Sequence, residues 1–250
     1  MKYEEILHEA AELIKMSQYA VAFTGAGISA ASGIPTFRGK GGIWKTIDPN
    51  YFNIHFFEKK PFVTWKIIKQ AFYDKITEAK PNMAHYILSV MEQKGFIKSV
   101  ITQNIDHLHQ DAGCDNVIEL HGTYKRLVCT KCGMEYDYRF ADLNYLPPTC
   151  FVCRGVLKPD FIFFNEDLPK KTIENATAEI NKADLLLVIG TRAEVFPANT
   201  FINLARDNEV KIIEINIDKT ALTHYHTSLF IKNEAENTMD KLCRILTCKD

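Results

Sequence analysis

Four of the seven cysteines stand in two Cys-x-x-Cys pairs separated by about seventeen residues: Cys129, Cys132, Cys150 and Cys153. This spacing is typical of a tetrahedral four-thiolate zinc site. Four protein ligands leave no coordination position open, so we predict a structural zinc. A redox Cys-x-x-Cys or two disulfides would need a thioredoxin-like pattern or an oxidising compartment, and the sequence shows neither. We interpret the other cysteines as plain thiols.

Polar side chains follow a short buried-type strand predicted over residues 99–102. Gln103, Asn104 and Asp106 come directly after it. In open α/β sheets ligands bind beyond the carboxyl ends of the strands, which favours a binding site here. The alternative is a helix N-cap formed by Asn104 or Asp106, and the spacing leaves both interpretations open. We expect the nearby His107 and His109 to be structural or exposed.

A second candidate for chemistry is His121, which ends the next strand-like run, 117–120, and precedes Gly122. Imidazole changes its charge near neutral pH, and a histidine at a strand end can reach a ligand beyond the sheet. His121 is therefore the better candidate for a general base.

A glycine-rich turn follows a predicted strand over 19–23. Gly25-x-Gly27-x-x-Ala30 fits the dinucleotide fingerprint G-x-G-x-x-G/A. In that interpretation Gly25 permits a tight turn, Gly27 lets the backbone approach a pyrophosphate, and Ala30 allows close helix–strand packing. The helix start, near Ala26, would offer unpaired N–H groups to the phosphates. A glycine-rich turn without a nucleotide is the alternative.

Two features separate this turn from an ordinary dinucleotide fold. Gly33-Ile34-Pro35 ends the helix early, and no second strand ends in an acidic residue about 20 positions on. A segment that carries Phe37 and Arg38 follows instead. We interpret the region as a nucleotide site with an added flap over its reactive end.

The elements that must position these residues alternate between strands and helices. Helices are predicted over 6–14, 65–79, 83–94, 172–182, 198–206 and 237–246, and further strands over 184–189 and 210–215. Residues 158–166 form an apolar stretch that favours either a core strand of the main body or an edge open to an extended peptide. The pattern predicts an α/β fold with a parallel sheet.

Composition narrows the class of protein. The chain has 250 residues, a formal net charge of −1, 46% hydrophobic residues and 24% charged residues, which is ordinary for a globular protein. Neither the charge nor any Lys/Arg block indicates a nucleic-acid or membrane partner. The N-terminus does not resemble a signal peptide, and the paired cysteines favour a reducing compartment, so we expect the cytoplasm.

Taken together, these motifs resemble the sirtuins, the NAD-dependent protein lysine deacylases. The resemblance spans nearly the whole chain, in family order, through Gly25-Ala26-Gly27-Ile28-Ser29, Ser32-Gly33-Ile34-Pro35-Thr36-Phe37-Arg38-Gly39, Thr102-Gln103-Asn104-Ile105-Asp106, Leu120-His121-Gly122, the four paired cysteines, Phe163-Phe164 before Glu166, and Gly190-Thr191.

The resemblance implies a Rossmann-like parallel sheet with helices on both faces and a small zinc-binding and helical domain. Residues 1–40, 81–122 and 158–250 would form the NAD-binding domain, and the helical insert 41–80 and the zinc module 123–157 the small domain. NAD and an acylated-lysine peptide would meet in the cleft between them.

The resemblance also implies roles for individual residues. Asn104 and Asp106, with Ile105, would hold the nicotinamide amide, Gln103 the nicotinamide ribose, and Phe37 would shield the reactive carbon. The acyl oxygen would attack that carbon, nicotinamide would leave, and His121 would act as general base on the ribose hydroxyls. The products would be nicotinamide, free lysine and O-acyl-ADP-ribose. The remaining NAD contacts would be Gly25, Ala26, Gly27, Ala30, Arg38, Gly190, Thr191, Arg192, Asn216, Ile217 and Ala235, and Ile162, Phe163 and Phe164 would pair with the peptide.

Departures from the family pattern concern both ligands. Arg192 replaces the usual Ser at the adenosine side, and Asn165 replaces the usual Gly beside the peptide. The Tyr-x-x-Arg pair that marks a preference for acidic acyl groups is missing from the 65–79 helix, where Lys69-Gln70-Ala71-Phe72 stands. A neutral acyl group is therefore favoured. The alternative functions are mono-ADP-ribosyl transfer to protein from the same pocket, and a zinc and nucleotide-binding module without activity.

Overall fold

The computed structural model describes residues 2–37 and 41–247. A six-stranded sheet is its centre, and every neighbouring pair in it is parallel. The strand order is β3-β2-β1-β7-β8-β9. These strands are β1 (Ala20–Thr24), β2 (Ser99–Thr102), β3 (Val117–Glu119), β7 (Leu185–Ile189), β8 (Lys211–Asn216) and β9 (Leu229–Lys232).

Helices cover both faces of this sheet. On one face α1 (Tyr3–Met16), α5 (Met83–Gln93) and α10 (Ala235–Thr247) pack on Ala22, Leu187 and Ile213. On the other, α7 (Lys170–Lys182) and α8 (Asn199–Asp207) pack on Val21, Leu186 and Ile212. Successive strand residues point to opposite faces, so burial of both faces explains why these strands are apolar throughout.

A second, smaller sheet is antiparallel and has the order β5-β4-β6. Its strands are β4 (Gly122–Cys129), β5 (Glu135–Asp137) and β6 (Leu157–Phe161). Helices α2 (Ile54–Lys59) and α3 (Pro61–Ile68) lie against it, and α3 continues through a π-helical turn, Lys69–Tyr73, into α4 (Asp74–Ile76). Two short helices, α6 (Leu108–Asp111) and α9 (Ala221–Tyr225), follow β2 and β8 along the chain.

A separate aromatic core joins this sheet to the helices. Trp65 is fully buried there and donates its indole N–H to the carbonyl of Leu157 at 2.7 Å. The Tyr73 hydroxyl donates to the Tyr124 carbonyl at 2.8 Å. The polar ends of these aromatic side chains thus bond the helices to the backbone of β4 and of the start of β6.

The observed elements confirm the predicted α/β sheet, and they differ from the predictions in two ways. The predictions miss the strands β4, β5 and β9 and the short helices α2, α6 and α9. The sequence pattern also places residues 158–166 with the main body, but Leu157–Phe161 pairs with β4 in the small sheet. An apolar extended stretch does not encode its partner, and here Phe161 and Phe163 pack in the aromatic core. Among the described residues no helix is both long and apolar enough to cross a membrane.

Candidate active site

A cavity of ≈ 890 Å³ opens where β1, β2, β7 and β8 end. Aromatic side chains of the smaller unit form its opposite wall, among them Phe52, Phe72 and Phe163. The predicted ligand contacts that line it are Gly25, Ala26, Gly27, Ala30, Phe37, Gln103, Asn104, Ile105, His121, Ile162, Phe163, Phe164, Gly190, Thr191, Arg192, Asn216, Ile217 and Ala235. Asp106 lines a neighbouring small cavity of ≈ 20 Å³, which shares Phe37, Asn104 and Ile105. Arg38 lies outside the described residues.

The glycine-rich turn is shaped by the loop that follows β7. The Gly27 N–H donates to the Gly190 carbonyl at 2.8 Å, and a Cβ added at Gly27 would lie 2.7 Å from Gly190 Cα. Gly190 itself has φ +64°. The glycines therefore let two loops touch at the cavity floor, and the Gly27 N–H is already occupied.

The helix after this turn differs from the dinucleotide pattern. It is a short 3₁₀ helix, Ala26–Ser32, which ends at Gly33 with φ +82°. Ala30 is exposed and faces the cavity, so it does not provide the close helix–strand packing that we expect from the fingerprint. Because the helix is short and wound as 3₁₀, Ala30 points away from the sheet.

A buried network fixes the amide of Asn104 at the cavity wall. Asn104 Nδ2 donates to the Gly25 carbonyl at 3.2 Å and to Ser29 Oγ at 3.1 Å. The Ser29 hydroxyl donates to Asp106 Oδ2 at 2.6 Å, while Asp106 Oδ1 accepts from the Leu108 N–H at 3.1 Å. The N-cap of α6 is His107, with φ +61° and no side-chain cap bond, so the interpretation of Asn104 or Asp106 as a helix N-cap is wrong. Asp106 precedes that cap and accepts the N–H of the first helical residue, and its carboxylate belongs to the network at the cavity wall.

Two histidines that the sequence does not single out as site residues lie behind this network. His85 Nδ1 accepts from the Asn82 N–H at 3.3 Å, so its proton is on Nε2, 3.4 Å from Ser29 Oγ. His109 Nε2 lies 2.9 Å from Thr24 Oγ1. Burial lowers the pKa of His85 to about 4 and that of His109 well below its usual value. Both rings are neutral at pH 7 and act as hydrogen-bonding groups.

Burial also raises the pKa of Asp106, while hydrogen bonds from Ser29 and Leu108 oppose that shift. The site residue that sequence reasoning overlooks is Ser29. The sequence feature that could have identified Ser29 is its position inside the glycine-rich motif. His85 comes from α5, and no local pattern marks it.

His121 is held in one tautomer. Its Nδ1 lies 2.9 Å from the Gln103 carbonyl, which can only accept, so Nδ1 carries the proton and Nε2 bears the lone pair. Burial lowers the pKa of His121, and the bond to Gln103 opposes this in part. His121 is half-buried and lines the cavity. A neutral imidazole with a free lone pair is the state that a general base requires.

Side chains join three strand ends beside His121. Gln103 Nε2 donates to Thr191 Oγ1 at 2.9 Å, and Asn216 Nδ2 donates to the Thr191 carbonyl at 2.9 Å. Arg192 pairs with Glu194 at 2.9 Å and points away from this line of bonds toward a neighbouring loop residue. The ends of β2, β7 and β8 are thereby fixed relative to one another.

The predicted peptide segment has less free backbone than we expect of an edge. Phe164 donates its N–H to the Phe52 carbonyl at 2.8 Å and accepts from the Ile54 N–H at 3.1 Å. The Ile162 N–H is taken by the His121 carbonyl at 2.9 Å. The interpretation of this stretch as an open edge is therefore wrong at Phe164, although the side chains of Ile162, Phe163 and Phe164 line the cavity.

The four paired cysteines meet at the end of β4. Their Sγ atoms all lie within 4.8 Å of one another, with Cys129–Cys153 at 3.4 Å and Cys132–Cys150 at 3.7 Å. A tetrahedral zinc with Zn–S bonds of about 2.3 Å requires sulfur atoms about 3.8 Å apart. These distances fit zinc and are far longer than the roughly 2.05 Å of a disulfide. Four thiolates complete the coordination, so the metal is structural.

Comparison with known proteins agrees with this geometry. The Sir2 family model matches residues 25–197. A protein of Pyrobaculum aerophilum named NAD-dependent protein deacetylase 1 is 41% identical over 239 residues, 94% of this chain and 93% of that protein. An NAD-dependent protein deacylase of Pyrococcus furiosus is 40% identical over 243 residues, 95% and 96% of the two chains.

Solved structures give the same result. A complex of a mutant Sir2 homologue with ADP ribose has a TM-score of 0.91 and 38% identity, over 95% of each chain. A Sir2 complex with a p53 peptide and NAD+ has a TM-score of 0.86 and 33% identity, over 97% of each chain. The fold and the site define a zinc-containing protein with a Rossmann-like sheet, and the chain belongs to the Sir2 family.

Proposed function

We propose that this chain is an NAD-dependent protein lysine deacylase that removes acetyl or other neutral acyl groups and yields nicotinamide and O-acyl-ADP-ribose. The observation that carries the proposal is one cavity that brings His121 and the Gln103–Asn104–Ile105 segment to face an aromatic wall. Relatives named NAD-dependent protein deacetylase or deacylase cover nearly the whole chain, which supports the same reaction here.

Asn104, Phe37 and His121 would have different roles in this reaction. Asn104, anchored by Gly25 and Ser29, presents its amide beside Asp106 and Ile105, where a carboxamide can be held. When bound, NAD supplies a ribose carbon that accepts the acyl oxygen once nicotinamide leaves. Phe37, which lines the cavity, would shield that carbon from water. The lone pair on His121 Nε2 would accept a proton from a ribose hydroxyl.

The adenosine half of NAD would bind on the β7–β8 side. Gly190, Thr191, Asn216, Ile217 and Ala235 line the cavity there. The remaining glycine-turn residues, Gly25, Ala26, Gly27 and Ala30, would lie along the pyrophosphate. Arg192 is paired with Glu194, so we propose that it stands at the cavity rim as part of an ion pair.

The aromatic wall favours a neutral acyl group. Phe52, Phe72 and Trp44 line the cavity, and Phe52 and Phe72 contact each other with ring centroids 5.3 Å apart. Lys69 pairs with Asp74 at 2.7 Å and does not line the cavity, so it offers no charge to an acidic acyl group. A carboxylate placed here would lose water without gaining a partner.

The two sheets and their separate cores support a division into an NAD-binding domain and a small domain. Because β6 pairs with β4, we propose that the zinc module ends near residue 161 instead of 157, so that the last segment of the NAD-binding domain begins near residue 162. The partners would be acylated proteins. Four reduced cysteine ligands favour a reducing compartment, which we take to be the cytoplasm.

The test is to incubate the protein with NAD and a panel of acetyl, butyryl and succinyl peptides, and to measure free nicotinamide. We expect release with the neutral peptides and a rate at least about tenfold lower with the succinyl peptide, because about 1.4 kcal/mol, a small part of the cost of burying an unpaired carboxylate, already corresponds to tenfold. His121→Gln should reduce release by about 10²-fold or more with zinc retained. Unchanged turnover in that variant would remove His121 from the mechanism.

Mass spectrometry of the products distinguishes the second reaction that this pocket could support. O-acyl-ADP-ribose indicates deacylation, whereas protein that carries ADP-ribose indicates mono-ADP-ribosyl transfer. NAD binding without nicotinamide release would contradict both.

A further inference from the structure

Glu214 is a buried glutamate in β8, the strand next to the edge strand β9 of the parallel sheet. It stands in β8, between Val188 of β7 and Phe230 of β9, and its side chain is 0% exposed. The adjacent Ile213 and Ile215 pack in the core on the opposite face. Glutamate is almost never fully buried unless its oxygens are bonded, so this position requires dedicated partners.

Three threonine hydroxyls provide those partners. Thr220 donates to Glu214 Oε1 at 2.7 Å, and Thr223 and Thr227 donate to Oε2 at 2.5 and 2.8 Å. All three come from the single segment that connects β8 to β9. Thr223 Oγ1 also accepts the Thr220 N–H at 2.9 Å, which caps α9. The Glu214 carboxylate thus holds the β8–β9 connection against β8 through three hydrogen bonds.

The same connection forms a wall of the cavity. Ile217, Asp218, Lys219 and Thr220 line it. At its start the Ile217 N–H donates to Asn216 Oδ1 at 2.9 Å, and Asn216 Nδ2 donates to the Thr191 carbonyl. At its end the segment is held by Glu214. Residues 217–220 are therefore fixed at both ends, between Asn216 and the bond from Thr220 to Glu214.

We propose that Glu214 is a positioning residue for the adenosine half of the dinucleotide, acting through Thr220 on the 217–220 wall. The inference rests on the proposed function, because it assumes that NAD occupies this cavity. Glu214 itself would not contact the dinucleotide. Its carboxylate orders the wall before the ligand arrives, which removes an ordering cost from binding.

The test measures ADP-ribose binding by calorimetry, together with KM for NAD and kcat. Thr220→Val removes the hydroxyl with little change in volume, and Thr220→Ser keeps it. We expect the Kd for ADP-ribose and KM for NAD to rise about tenfold in Thr220→Val, the effect of one lost charge-assisted hydrogen bond, with kcat little changed. Thr220→Ser should restore the wild-type values, and Glu214→Gln should resemble Thr220→Val.

Ser228→Ala is the matched control. Ser228 lies in the same connection, and its hydroxyl accepts the Ile212 N–H at 3.1 Å, but it neither contacts Glu214 nor lines the cavity. We expect its ADP-ribose affinity to equal that of the wild type. Thermal unfolding of each variant identifies any that fails to fold. If Glu214→Gln fails to fold, the comparison of Thr220→Val with Thr220→Ser still tests whether the bond to Glu214 affects ADP-ribose affinity.

The outcomes separate the two proposals. If wild-type protein binds no ADP-ribose, the proposed function fails and the inference falls with it. If the wild type binds and folded Thr220→Val and Glu214→Gln bind equally well, only the inference is overturned. An equal loss of affinity in Ser228→Ala would also overturn it, since the effect would then belong to the connection as a whole.

Discussion

At the scale of single residues, the chemistry depends on which nitrogen of His121 is free. The Gln103 carbonyl takes the Nδ1 proton, so the lone pair on Nε2 is available without any rearrangement. Gln103 reaches Thr191 through its side chain and His121 through its backbone. One residue therefore orients both the base and a neighbouring strand end.

The pH dependence of catalysis follows from the environment of His121. Burial lowers its pKa below 6.5, so the base stays unprotonated to a lower pH than a free histidine would. Activity should be lost as the pH falls through this lowered pKa, and retained above it. We expect the acidic limb of kcat/KM, which reports the free enzyme, to lie below pH 6.5. A limb above pH 6.5 would contradict this assignment.

Asn165 stands where the family usually has a glycine. It has φ +66°, a left-handed conformation that Asn adopts more easily than most residues. We expect Asn165→Ala to lower the free energy of unfolding by about 1 kcal/mol, and Asn165→Gly to change it by less than about 0.5 kcal/mol. Thermal or denaturant unfolding checks both. KM for the peptide should be unchanged in Asn165→Gly, since the turn is kept.

At the scale of elements, the contact between two loops at the cavity floor requires a glycine at position 190. A Cβ on Gly190 would lie 2.5 Å from the Ile28 backbone nitrogen, in addition to the left-handed φ. We expect Gly190→Ala to lower the free energy of unfolding by about 3–4 kcal/mol and to abolish ADP-ribose binding.

The matched control for that prediction is Gly33→Ala. Gly33 also has a positive φ, +82°, but an added Cβ would meet nothing within 4 Å. Only the backbone strain remains, so we expect a loss of about 1–2 kcal/mol with binding retained. Equal effects of the two substitutions would show that the loop contact is not what requires glycine.

The elements also show what sequence reasoning could and could not predict. Strongly apolar β7 and β8 and the zinc ligands are local patterns, and the structure confirms them. Strand β9 and the partner of β6 are not local, because a short extended segment reveals neither its neighbour nor its sheet. Ser29 and His85 enter the site through contacts made only after folding. Their roles therefore required the structure.

At the scale of the whole molecule, zinc should stabilise the unit that contains the aromatic core more than the unit that contains the large sheet. The Cys129 and Cys150 side chains belong to the aromatic core, whereas the large sheet has its own cores on both faces. The sequence contains two tryptophans, and both Trp44 and Trp65 pack in or against the aromatic core. Tryptophan fluorescence therefore reports on the zinc-dependent unit.

Removal of zinc with a chelator should shift that fluorescence to the red and abolish deacylation, while most of the helical circular dichroism is kept. The physical reason is that a small unit of short strands needs the metal to fold. Restored emission and activity after zinc is added back would be the control. A simultaneous loss of all helical signal would show that the two units unfold together.

The path of the chain has a further consequence. Backbone passes from the large sheet to the aromatic core and back twice, near residues 28–34, 76–83, 119–122 and 161–170. Four backbone connections therefore join the two units. A single protease cut in any one connection should therefore give fragments that separate only under denaturing electrophoresis and elute together from a sizing column.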